Sequence, residues 1–138
     1  MPYPTEYSSA SRDFDRFLDD VKQRTMLQTR HQAWQVSRGV FLVFRSHLSL
    51  ADVLHVSNHL PPLFRAMFVE GLEAGHVARP LAGADLTEEV AGVRADHQFA
   101  DRDSIGHVMA ALRAAMNPLD FERMLAPLAP ELKAFWTG

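Results

Sequence analysis

The chain contains no cysteine, which removes disulfides, thiolate nucleophiles and cysteine-based zinc sites together. It has no apolar run near the ~18 residues a membrane-spanning helix needs. Its seven glycines never fall into G-x-G-x-x-G or G-x-x-x-x-G-K-S/T, so no phosphate-cradling loop is written into it. No G-x-S-x-G elbow presents a serine nucleophile. Positive charge is scarce as well. Residues 1–71 carry 8 Lys/Arg against 7 Asp/Glu, and residues 72–138 carry 6 against 10, for a net charge of -3. Neither half supplies the cationic footprint of a nucleic-acid binder. Met1–Ser11 holds Glu6 and two prolines and lacks a basic start followed by an apolar core, so it does not read as a signal peptide. A bacterial-type cytoplasm is the expected compartment, with no membrane, nucleic acid or cofactor among the expected partners.

What remains is the composition of an ordinary globular chain: 138 residues, 47% apolar and 22% charged. That length makes one domain, burying roughly two-thirds of its unfolded surface. The strongest internal feature is a repeat at a spacing of 68 residues. When Val36–Phe68 is laid over Ser104–Trp136, six of 33 positions are identical: Val40/Val108, Arg45/Arg113, Asp52/Asp120, Leu60/Leu128, Pro62/Pro130 and Ala66/Ala134. Large apolar residues also face large apolar residues, as at Phe44/Leu112, Val53/Phe121, Val56/Met124 and Phe68/Trp136. A unit with one apolar face needs a neighbour to cover it, so two copies closing a shared interior is the architecture this predicts.

Local signals place the elements. Phe14, Phe17, Leu18 and Val21 form one helical stripe, with Ser9 or Ser11 as its cap and Met1–Glu6 as a loose arm. Thr29-Arg30-His31-Gln32 has capping-box form and opens a helix to about His47. Ser49 is placed to accept from the backbone of Asp52, and Asn117-Pro118 starts the counterpart helix. Leu60-Pro61-Pro62 and Leu128-Ala129-Pro130 end those helices and begin short ones. Asp85-Leu86-Thr87-Glu88 has capping-box form, and Asp101 or Asp103 precedes the stripe Ile105, Val108, Met109, Leu112 and Met116. No stretch alternates like a strand. The expectation is an all-α chain of about eight helices in two four-helix units, about 10–71 and 85–136, joined by the glycine-bearing connection 72–84.

The helix from Thr29 breaks the symmetry. Besides the stripe Ser37, Val40, Phe41, Phe44 and Leu48 it carries Trp34, Val36, Leu42 and Val43, so it is apolar nearly all round. Two placements fit such a helix: the centre of the domain, or a subunit interface made by Trp34, Val36 and Val43. Phe135 and Trp136 correspond to Met67 and Phe68 and are expected to fold back onto the core, while Tyr3 and Tyr7 are less constrained.

Reactive constellations are few. Asp52, His55 and His59 stand at i, i+3 and i+7, and imidazoles at i, i+4 can share a metal ion with a carboxylate as third ligand. The plainer reading is three solvent-facing residues, since the counterparts of the histidines are Arg123 and Pro127. The acidic pairs Asp19/Asp20, Glu88/Glu89 and Asp101/Asp103 sit where acids favour a helix start or face water.

The pattern Phe14-x-x-Phe17-Leu18-x-x-Val21, then Leu48-Ser49-x-x-Asp52 and Leu60-Pro61-x-Leu63-Phe64-Arg65-x-Met67-Phe68, resembles the bacterial DUF2267 family. Leu112, Met116, Asp120, Leu128, Pro130, Leu132 and Trp136 fit its second, weaker copy, with Ala129 departing from the first LP proline. The resemblance spans about residues 10–136. It implies a small, all-helical, cytoplasmic bacterial protein and brings no catalytic residues with it. The functional expectation is a non-enzymatic helical module that binds another protein or a second copy of itself. The alternative is a small-molecule or metal binder using the Asp52/His55/His59 face or the cleft between the units.

Overall fold

A computed structural model describes residues 3–81, 86, 88–89 and 103–137. Among these residues the chain is all-α, with eight helices and no strand: α1 (Thr5–Ser8), α2 (Ala10–Thr25), α3 (Arg30–Ser46), α4 (Leu50–His59), α5 (Pro62–Val69), α6 (Ser104–Ala115), α7 (Pro118–Leu125) and α8 (Pro130–Thr137). The caps fall where short polar side chains stand. Gln32 N–H donates to Thr29 Oγ1 (3.1 Å) while Thr29 N–H donates back to Gln32 Oε1 (3.2 Å), a complete capping box. Asp52 N–H donates to Ser49 Oγ at 3.1 Å. Leu119 N–H donates to Asn117 Oδ1 at 2.9 Å, with Pro118 in the first turn.

Two local readings change. Where a loose arm is expected over Met1–Glu6, Thr5–Ser8 forms a helical turn. Ser9 precedes α2 without capping it; its hydroxyl lies 2.7 Å from Asp13 Oδ2 and 3.0 Å from the Thr5 carbonyl. At its other end α2 closes in a Schellman motif. Leu27 N–H reaches the Lys22 carbonyl (3.0 Å) and Met26 N–H the Gln23 carbonyl (3.4 Å). Met26 occupies the left-handed position at φ 58°, where glycine is usual, and stands 89% exposed. The Asp85–Glu88 capping box and Asp101 fall on or across residues outside those described; α6 begins immediately after Asp103.

The 68-residue offset is visible in the element boundaries. α4 starts at Leu50 and α7 at Pro118; α5 starts at Pro62 and α8 at Pro130, so both differences (118 minus 50, 130 minus 62) are 68. Leu60 and Leu128 are 1% and 3% exposed. The elements interleave: α2 packs on both α3 and α6, α3 also meets α5 and α6, and α4 lies beside α7. The result is a single apolar interior. Phe44 joins the halves, with Phe135 at 5.1 Å and Trp136 edge-on at 4.8 Å between ring centroids. Phe17 meets Phe64 at 4.8 Å and Phe41 at 6.4 Å.

α3 is the central helix. Val36 and Val43 are each 4% exposed within this single chain, which removes them as a surface for a second subunit. The physical reason is that α3 is flanked by α2, α5 and α6 together, so an all-round apolar helix is satisfied without a partner. Trp34 alone of that trio stays half-exposed. It stacks on His31 at 5.9 Å, with the Arg38 guanidinium 5.9 Å from its ring centre.

Candidate functional site

Asp52, His55 and His59 lie along α4, and all three are half-buried. The hydrogen bonds of the two imidazoles run to backbone. His55 Nε2–H donates to the Arg123 carbonyl on α7 (2.9 Å), and His59 Nδ1–H donates to the His55 carbonyl (2.9 Å). These bonds fix the tautomers, and the two rings lie 4.5 Å apart at 46°. Asp52 stands two turns before His59, about 10 Å along the helix axis, beyond what a short carboxylate spans toward a shared ion. Among the described residues no three His, Asp or Glu side chains gather as a metal site. The geometry therefore brings the two imidazoles together and leaves Asp52 at the helix start.

The buried polar cluster lies elsewhere, at His47, just past the end of α3. Its side chain is wholly enclosed, with Nδ1–H donating to the Arg79 carbonyl (2.9 Å) and Nε2 3.3 Å from Glu89 Oε2. An Arg79 Nη atom lies 2.6 Å from Glu89 Oε1. Arg79 N–H donates to the Ser46 carbonyl (2.8 Å) and His76 Nε2–H to the Leu48 carbonyl (2.8 Å). These bonds pin residues 76–79 of the connection onto the α3–α4 junction. An imidazole held by a carboxylate has half the form of a catalytic dyad, but the adjacent Ser46 hydroxyl donates to the Val43 carbonyl (2.7 Å) rather than to the imidazole. The cluster is a fastening. Sequence spacing held no sign of it, because its members are 32 and 42 residues apart.

A groove of about 770 Å³ lies on the second half. Along it run Pro118, Phe121, Glu122 and Leu125, the i, i+3, i+4, i+7 stripe of α7, with Ala126 beyond. Arg113 from the end of α6 and Lys133 from α8 flank the stripe. Phe121 is buried and braced edge-on by Trp136, 5.6 Å away. The Arg113 guanidinium carbon sits 5.4 Å from the Phe121 ring centre, a cation–π contact that holds the arginine over the groove floor. Among the described residues no carboxylate lies within 4.0 Å of Arg113 or Lys133. Sequence reasoning took Phe121 for core, which its burial supports, and had no means of finding the groove beside it. The one available signal was that Leu125 replaces Ser57 in the repeat, placing an apolar residue where its counterpart is polar.

With the fold in view, the sequence pattern described as "Uncharacterized conserved protein (DUF2267)" matches residues 14–135, most of the chain. The protein belongs to the DUF2267 family. Comparison with curated proteins gave no match. The matched span of this DUF2267 chain runs from Phe14 on α2 to Phe135 on α8, so it takes in the Phe44 junction, the His47 fastening and the whole groove. Among the described residues no helix is long and apolar enough to cross a membrane.

Proposed function

We propose that this DUF2267 chain is a non-enzymatic helical module that binds another protein, with the groove along α7 as its contact face. The observation that carries the reading is the groove itself. A mostly apolar stripe, broken by Glu122, runs along one helix and is edged by two cations that have no carboxylate partner among the described residues. A stripe of that length offers i, i+3, i+4 and i+7 contacts to a segment laid alongside it, the geometry of helix-in-groove recognition. The titratable clusters support binding over chemistry: His55 and His59 donate to backbone carbonyls, and His47 ties the connection to α3. Burial of Val36 and Val43 takes away the apolar surface that motivated self-association. As part of this reading we place the module in the bacterial cytoplasm.

The test is site-specific photo-cross-linking from position 125 in living cells, followed by purification of the captured protein. Ala126→Trp, at an exposed position, fills the groove without touching the core. The reading expects the purified partner to lose roughly tenfold or more in affinity for that variant, as for truncation of a contact residue. An unchanged affinity, or the same captured proteins from exposed Arg12 on α2, sinks it.

A further inference from the structure

Resting on the reading of the groove as a docking face, we infer that its partner is an acidic amphipathic helix, with Arg113 and Lys133 selecting carboxylates beside bulky apolar side chains. The argument comes from what the same repeat positions do in the first half. Arg113 and Lys133 are the counterparts of Arg45 and Arg65, each 68 residues earlier. Arg45 Nη1 donates to the carbonyls of Phe68 and Glu70, both at 2.9 Å. Arg65 donates from Nε to Ser57 (2.9 Å) and from Nη2 to Leu60 (3.0 Å). Both first-half cations are thus consumed in closing helix ends of their own chain.

Among the described residues neither cation of the second half closes a helix end in the way Arg45 and Arg65 do. Arg113 lies over Phe121, and Lys133 puts a compact ammonium on a flexible stem where the first half has a planar guanidinium fork. Among the described residues Glu122 is the one acid on the groove, beside Arg113 and Lys133, so the described lining carries a net charge of +1. It does so on a half of the chain with 6 Lys/Arg and 10 Asp/Glu, a net of -4. A basic, apolar strip on an otherwise acidic half is complementary to a helix that is acidic on its flanks and apolar on one face. A guanidinium already steered by an aromatic ring presents its fork to a carboxylate at little further ordering cost.

The test uses fluorescence anisotropy with two labelled synthetic helical peptides, leucines at i, i+4 and i+7 with either glutamates or lysines between. Dodecanoate serves as the free-amphiphile arm. The inference expects the glutamate peptide to bind, more weakly as salt rises, and the lysine peptide not to. It expects Arg113→Gln/Lys133→Gln, changes at one exposed and one half-buried position whose thermal melts report intact folding, to weaken the glutamate peptide on the order of 10- to 100-fold. Equal binding of both peptides, lost with Ala126→Trp, overturns the charge selection and leaves the docking face standing. Binding that ignores Ala126→Trp places the site elsewhere and overturns both. Capture of dodecanoate without either peptide assigns the groove to a free amphiphile and overturns the inference, as does no binding at all.

Discussion

Phe44→Ala tests whether the two halves share one interior. Phe44 is fully buried on α3 and meets Phe68 of its own half, at 6.4 Å, and Phe135 and Trp136 of the other. Truncating a buried phenylalanine to alanine typically costs about 3–5 kcal/mol, from lost transfer energy plus the cavity left behind. The aromatic pairs add about 0.5–1.5 kcal/mol each beyond area burial, so the upper end of that range applies here. Against a total stability of about 5–15 kcal/mol, the variant is folded but weakened. With a urea slope of about 1–3 kcal/mol per molar, the midpoint falls by roughly 1.3–5 M, the smaller shifts going with the steeper slopes. The measurement is urea unfolding in a Trp34→Phe background, so that fluorescence reports Trp136 of the second half while far-ultraviolet circular dichroism reports all helices. A common interior requires the two signals to move together, by the same amount, although the mutation lies in the first half. Separate transitions, or a Trp136 transition unmoved by Phe44→Ala, refute the reasoning.

Three further outcomes follow from local geometry. Met26→Gly removes a side chain from a left-handed position and is expected to stabilise the chain by about 0.5–1 kcal/mol in thermal or urea unfolding, since glycine meets no steric penalty there. The Arg30 guanidinium, bonded to Asp19 at 2.7 and 2.8 Å, holds that carboxyl below its ordinary value near 3.8. A carboxyl whose pKa is lowered on folding adds stability above its unfolded value and loses it as pH falls through the folded one. The melting-temperature advantage of the native chain over Asp19→Asn is therefore expected to hold from neutrality to about pH 4 and to fade below pH 3.8, at modest size because the pair is exposed. With Asp52 apart from the imidazole pair, calorimetric zinc titration of the native chain is expected to show at most weak binding, and Asp52→Ala to leave it unchanged; a sharp loss with Asp52→Ala restores the three-ligand site.

Which parts were legible in the sequence follows from how far apart the interacting residues stand. The stripe Phe14/Phe17/Leu18/Val21, the Thr29–Gln32 box, the Ser49 cap and the proline stops are decided within a few residues of one another, and they emerged as read. Thr5–Ser8 and Met26 show the limits of that reach, because a short helical turn and a non-glycine left-handed cap carry weak local signatures. Whether Val36 and Val43 face a neighbour or solvent depends on α2, α5 and α6, none of which the α3 sequence encodes. A helical wheel puts Asp52, His55 and His59 on one side of α4, but whether three ligands converge depends on side-chain placement that spacing does not carry, and among the described residues no such trio gathers. The groove was illegible for the same reason as the His47 fastening: Arg113, Phe121 and Lys133 meet only after three helices have packed.

The most direct measurement of the central claim is a two-dimensional NMR titration of the isotope-labelled chain with the glutamate-bearing helical peptide. The account predicts amide shifts concentrated at Arg113, Phe121, Leu125, Ala126 and Lys133, with the α2–α3 face around Asp19 and Arg30 unmoved. Shifts centred on α4 at His55 and His59, or spread evenly over the surface, contradict it.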